Sequence, residues 1–248
     1  MGKLFKFLVN KADTFKMAKD IHARILSVDT HTDTPLWFTR GNFSVGMRKS
    51  NQVSIQKMEE GKLDAQFLAA FLAQKERDEV SSQKAVEKCH KMIEGIYADV
   101  AKYKDNCGIA LTEEDALRLK AEGKKAFFIG IENGYAIGKD IKNVKKYKDM
   151  GVQYMTLSHS YDNDICNSSS NTADASKGLT PFGRKVVKEM NKVGMMIDVS
   201  HVSEGTFWDV MKLSKDPVFA WHSSVRALCD NDRNLTDDQL RALAKNGG

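Results

Sequence analysis

The chain has 248 residues, of which 42% are apolar and 29% charged, and a net charge of +5 that is not gathered into a tail. That is long enough to bury a sizeable core, as one large domain or two small ones. The totals argue against a nucleic-acid partner, and no run of about 18 apolar residues marks a membrane span.

Residues 1–24 read as a lead-in segment, with an amphipathic helix from 13 to 24 carrying Phe15, Ala18, Ile21 and a partly buried His22 on one side. Before it, the apolar patch Leu4–Val9 is broken by Lys6, too short and too charged for a signal-peptide core. Lys6 also stands where a myristoylation motif following Gly2 needs Ser or Thr. The four cysteines, Cys89, Cys107, Cys166 and Cys229, form no C-x-x-C pair. Their spacing suits free thiols and a cytoplasmic setting, with one disulfide or a removed leader as alternatives.

Ile25–Val28 is a short apolar run that reads as a buried strand, followed by a long loop from Thr34 to Gln56. Asp64–Phe71 reads as a second strand. Between Ser81 and Tyr103, apolar residues recur at three- and four-residue steps, the mark of a long amphipathic helix, and His90 lies on its buried face as a core residue. Thr112 with Asp115 marks a helix start, and Gly123 a helix end. Lys125–Glu132 is nearly all apolar, as in a strand covered on both faces. The lysines from 139 to 148 belong to the wet face of the next helix. Further strands are expected at Val152–Leu157, Met195–Val199 and Pro217–Trp221, separated by helices at about 181–193 and 203–213. A polar loop and a helix occupy Asp230–Lys245. Six strand–helix units of this kind imply a parallel sheet flanked by helices.

Four of the chain's 6 histidines, His31, His159, His201 and His222, directly follow a strand, and Glu132 ends another. Strand ends of a parallel sheet converge on one face, which carries the chemistry in (β/α) barrels. Polar residues do begin where buried strands stop, and that explains any one of these positions. It does not explain an imidazole or carboxylate after five of six strands. His31 and Asp33, two apart, face one side of an extended chain. Five donors exceed what a single catalytic zinc needs, so a pair of ions is expected. Glu132 would bridge them, His31 and Asp33 would serve one, and His201 and His222 the other. Hydroxide held between two cations is a strong nucleophile near neutral pH, which suits hydrolysis of an amide or ester.

Val-Asp-Thr-His-Thr-Asp at 28–33, Ile-Gly-Ile-Glu-Asn-Gly at 129–134 and Leu-Ser-His at 157–159 resemble the renal (membrane) dipeptidase family of zinc peptidases. So do Gly-Leu-Thr-Pro-Phe-Gly-Arg at 178–184, Met-Ile-Asp-Val-Ser-His-Val-Ser at 196–203, His-Ser-Ser-Val-Arg-Ala-Leu at 222–228 and Asp-Arg-Asn-Leu-Thr-Asp-Asp at 232–238. The resemblance implies a (β/α)8 TIM-like barrel of the metal-dependent hydrolase type, a single domain over 1–248. It implies two Zn2+ on the ligands above, a dipeptide substrate and a homodimer. His159 would polarise the scissile carbonyl or its oxyanion, and Arg233 would pair with the substrate carboxylate. Taken alone, Arg233 reads as a surface ion pair with Asp232 or Asp237.

The sequence departs from that pattern in two ways. Six strand–helix units are visible where a barrel has eight, so the chain reads as cut short by about a hundred residues. No position matches the aspartate the family carries near its last strand as a proton-transfer partner. An open six-stranded sheet is expected to bind zinc weakly, to associate, and to turn over slowly. Two alternatives stand beside the dipeptidase: a binuclear amidohydrolase acting on a cyclic amide or ester, and a zinc-binding barrel without catalysis. Glu132 in the bridging position, where many amidohydrolases use lysine, weighs against the first.

Overall fold

The computed structural model describes residues 11–40, 43–48, 51–170 and 174–248; the leader and lipidation readings at residues 1–10 lie outside them. The apolar runs become strands β1 Val28–Asp29, β2 Ala65–Phe71, β3 Cys107–Ile109, β4 Lys125–Glu132, β5 Val152–Thr156, β6 Met196–Asp198 and β7 Val218–Phe219. Six lie side by side in the order β1-β2-β4-β5-β6-β7, all parallel. These are the six expected strands. The seventh, β3, pairs only with the first three residues of β4 and was not foreseen. Three residues centred on a glycine carry no readable period.

Parallel neighbours cannot be joined by a tight hairpin, so helices carry the crossovers. The helices among the described residues are α1 Lys11–Arg24 before the first strand, α2 Ile55–Gly61, α3 Glu79–Ala101, α4 Glu113–Ala121, α5 Lys142–Asp149, α6 Pro181–Val193 and α7 Glu204–Leu213 between strands, and α8 Asp237–Asn246 after the last. Several starts are written in the sequence. Asp78, Thr112, Thr180, Ser203 and Thr236 each accept a hydrogen bond from the backbone N–H three residues on. Ala85, Cys89, Met92, Ile93, Ile96 and Val100 line the buried side of α3, packed in one core with Leu68, Ile129 and Ile131 of the sheet. His90 is half-buried, with its ring edge-on to Tyr147 at 5.3 Å.

Three expectations need correction. The helix at 13–24 forms, but Phe15 (64%) and Ile21 (44%) are exposed, and so is His22. The first strand is not buried: Ile25 and Val28 are exposed, because β1 is an outer strand with one neighbour. The loop from Thr34 holds a 3-10 turn over Thr34–Arg40 and gives way to α2 at Ile55.

The sheet is curled into part of a (β/α) barrel. Its outer strands share no ladder, yet Thr30, just past β1, donates from Oγ1 to the carbonyl of Trp221, just past β7, at 3.1 Å. The carboxyl ends of the strands are thereby drawn into a ring. Side chains alternate across the sheet: Phe127, Ile129 and Ile131 of β4 meet the helices, and Phe128 lies in the other cluster with Phe67 and Tyr154. Phe67 stacks on Phe128 at 4.7 Å and tilts against Tyr154 at 5.5 Å, and Tyr154 tilts against Trp221 at 5.8 Å. Each such pair adds about 0.5–1.5 kcal/mol to its area burial. This aromatic layer is the floor on which the strand ends stand. Among the described residues, no helix is long and apolar enough to cross a membrane.

Candidate metal centre

Glu132 is the last residue of β4, the strand buried along most of its length. The turn after it is held rigidly. Asn133 is buried with a φ of 80°, and its side-chain oxygen accepts from Tyr135 N at 3.1 Å and from Asn163 Nδ2 at 3.0 Å. Gly134 follows because a Cβ there would lie 2.8 Å from the carbonyl oxygen of Leu157. The Glu132 carboxylate, 3% exposed, is thus fixed on the concave side at the centre of the ring.

The histidines surround it. Oε1 of Glu132 lies 2.9 Å from His222 Nε2, 3.1 Å from His201 Nε2 and 3.6 Å from His159 Nε2. Oε2 lies on the other side, 3.5 Å from His31 Nε2. His31 Nε2 is in turn 3.4 Å from Asp33 Oδ1. His201 and His222 present their Nε2 atoms to each other at 3.0 Å. His201 adopts a φ of 69°, a left-handed conformation that costs a β-carbon residue about 1–3 kcal/mol. Its carbonyl accepts from Ser169 N at 2.8 Å, which helps hold the bend. Two overlapping sets of donors result: His31, Glu132 and His222, and Glu132, His159 and His201, each within 4.8 Å.

The electrostatics suit cations. Burial opposes the charge on Glu132, but hydrogen bonds from His201, His222 and His31 outweigh it and hold the carboxyl far below the usual range. Burial likewise opposes a proton on His31, yet Asp33 and Glu132 prevail and push it up to about 10. Burial lowers His201 to about 4 and moves His159 down as well. Near neutrality, His201 therefore carries a lone pair that a metal can bind, His159 is neutral, and His31 holds a proton that a cation would displace. A buried oxygen of Asp33, its Oδ1, has no hydrogen-bond partner. Donors at about 2.1 Å around a tetrahedral ion sit about 3.4 Å apart. The 2.9–3.5 Å separations among His31, Asp33, Glu132, His201 and His222 are close to that value, so the residues fit the ions the resemblance implies.

All seven residues singled out in the sequence lie at or beside this cluster. His159 rests against the Phe71 ring at 4.6 Å, and its Nδ1 is 2.8 Å from Ser160 Oγ. Arg233 is not the surface ion pair its neighbours suggested. Its guanidinium is partly buried and donates to the His222 carbonyl at 3.0 Å and to Ser223 Oγ at 3.4 Å. Two supporting residues went unread. Tyr154 Oη is 2.9 Å from His31 Nδ1. Asp198, fully buried, accepts from Thr156 Oγ1 at 2.6 Å, Ser200 N at 2.8 Å and Trp221 N at 3.2 Å, and lies 3.9 Å from His222 Nδ1. A carboxylate inside an otherwise apolar strand was the signal for Asp198. Tyr154 offered none, since tyrosine is common in strands.

Comparison with known proteins identifies the family. The family described as membrane dipeptidase (peptidase family M19) matches residues 15–248. An uncharacterised dipeptidase of Schizosaccharomyces pombe is 30% identical over 245 residues, covering 92% of this chain and 58% of that protein. Human dipeptidase 3 is 33% identical over 211 residues, covering 84% of this chain and 41% of that protein. The crystal structure of the probable dipeptidase PvdM from Pseudomonas aeruginosa superposes with a TM-score of 0.88 at 30% identity, covering 96% of this chain and 62% of that one. The chain thus spans between 41% and 62% of the length of these relatives.

Proposed function

Since the chain belongs to the membrane dipeptidase family of metallopeptidases, we propose that it hydrolyses the peptide bond of dipeptides at a centre holding two zinc ions. Glu132 would serve both ions, His31 and Asp33 would complete one set of ligands, and His201 and His222 the other. The observation that carries this reading is the division of one carboxylate: Oε2 faces His31 at 3.5 Å, while Oε1 faces His222 at 2.9 Å and His201 at 3.1 Å. Bound zinc would polarise the substrate carbonyl and lower the pKa of water to near neutrality.

The chain's own groups supply the rest. With the Ser160 hydroxyl as donor to Nδ1 of His159, 2.8 Å away, the ring hydrogen would sit on Nε2, beside Glu132. From there it stabilises the negative charge that grows on the carbonyl oxygen. Arg233 uses part of its fork on the His222 carbonyl and Ser223 Oγ and keeps the remaining N–H groups for the carboxylate of a dipeptide. A cleft of about 1140 Å3 is lined by Gln74, Arg77, Tyr161 and Ser160, the residue that follows His159.

Zinc titration of the metal-stripped chain, followed by hydrolysis of an alanine dipeptide, tests the proposal. Two equivalents should bind, and Glu132→Gln should lose at least one of them together with activity. Tight uptake of two ions by Glu132→Gln would remove the bridge from the reading.

A further inference from the structure

We propose that Tyr154 is the positioning residue of the His31 half of the centre: its phenol oxygen accepts the Nδ1 hydrogen of His31 and so keeps Nε2 turned toward Glu132. The inference rests on the metal-centre reading above and extends it to a residue inside the barrel floor.

Two observations carry it. First, Tyr154 Oη is 2.9 Å from His31 Nδ1, while the other ring nitrogen faces Glu132 and Asp33 at 3.5 and 3.4 Å. An acceptor at Nδ1 holds a hydrogen on that nitrogen and leaves Nε2 as the one a metal would take. Second, the phenol is held in place by a gap in the neighbouring strand. A Cβ on Gly130 of β4 would lie 2.2 Å from Tyr154 Cε1, so the ring occupies the space a side chain would fill. Phe67 and Trp221 bound it at 5.5 and 5.8 Å, and the residue is fully buried.

The two halves of the centre are therefore supported differently. Behind His222 stands a carboxylate, Asp198, at 3.9 Å. Behind His31 stands a phenol that fixes orientation without adding charge. A carboxylate there would join Asp33 and Glu132 as a third negative group around one ring. The phenol avoids that crowding while keeping the ring in register.

The test uses the full chain labelled with 15N-histidine, first without metal. In the wild type, long-range 1H–15N spectra should show a slowly exchanging hydrogen on His31 Nδ1. Tyr154→Phe, which removes only the oxygen, should release that hydrogen to rapid exchange. Gly130→Ala should do the same by displacing the ring while leaving the hydroxyl on the chain. Circular dichroism melts establish that both variants are folded. In the second arm, zinc affinity at the weaker-binding equivalent should fall about 10–100-fold in Tyr154→Phe. An unchanged His31 Nδ1 signal in a folded Tyr154→Phe chain overturns the inference. If the wild type takes up no zinc, the metal-centre reading fails, and the metal-free spectra still decide the role of Tyr154.

Discussion

The rings of His31 and His222 stack with their centroids 4.2 Å apart and their planes 10° from parallel. They stand at the ends of the two outer strands of the sheet path, which share no backbone ladder. The site therefore forms the ring that the sheet does not complete, and Thr30 ties the same two strands together through the Trp221 carbonyl.

That tie should be measurable. Thr30→Val keeps the shape and removes the donor of the 3.1 Å bond. We expect a loss of about 0.5–1.5 kcal/mol in urea unfolding. Zinc affinity should weaken several-fold, because His31 and His222 would no longer be held at one separation. Equal affinity in the two proteins would mean that the histidines alone set the spacing.

Asp198 is a second point of support. Its carboxylate takes three hydrogen bonds in a fully buried position and faces His222 Nδ1. An amide cannot accept with both ends, so Asp198→Asn turns one contact into a clash of donors. The expected cost is about 1–3 kcal/mol in thermal or urea unfolding of the metal-free chain. Metal affinity should fall about 10–100-fold through His222. A stable Asp198→Asn chain with native zinc affinity would show that Asp198 serves neither role.

How much of this was legible in the residues depends on how each signal is stored. Glu132 and the four histidines stand at the ends of apolar runs, where a polar residue is conspicuous. The helix caps at Thr112 and Thr180 are equally local. β3 escaped because Cys107–Ile109 is too short to show a period. α2 escaped because its seven residues follow a stretch of turn formers. Exposure of the apolar side of α1 could not be read, since periodicity shows that a face exists and not what covers it. Tyr154 was hidden for a different reason. Its meaning comes from a glycine on another strand and a histidine on a third.

The approach to β1 offers a test in acid. Asp64 Oδ2 accepts from Ser27 N at 2.9 Å, Ser27 Oγ at 2.9 Å and Lys120 Nζ at 2.8 Å, pinning the residues before β1 to the start of β2. Burial raises the carboxyl's pKa, but Lys120 and Ser27 outweigh it, and the net shift is downward from 3.8. A lowered folded value means that the stabilisation is complete above the unfolded pKa and disappears as pH falls through the folded one. Wild type should therefore exceed Asp64→Asn by about 1–2 kcal/mol at pH 7. The two should converge below about pH 3 in urea melts. A gap that is the same at pH 7 and pH 2 would exclude the charge as its source.

Metal uptake should itself depend on protons, and His31 sets the direction. Burial disfavours its charged form, but Asp33 and Glu132 raise it to about 10, so the metal-free chain holds a proton there at pH 7. In the absence of metal, this raised value stabilises the fold fully below the unfolded value near 6.5, and the contribution is lost as pH climbs through about 10. Zinc must displace that proton, so affinity should rise with pH across the neutral range. His201, brought down to about 4 by burial, is already neutral there and should release nothing. Calorimetry at pH 7 in buffers of different ionisation enthalpy counts the protons released. Wild type should release at least one more than His31→Asn while the chain fills its remaining half-site. Equal release from both would show that zinc meets an unprotonated His31. The attraction that Asp33 and Glu132 exert on that ring would then be too weak to hold a proton against solvent.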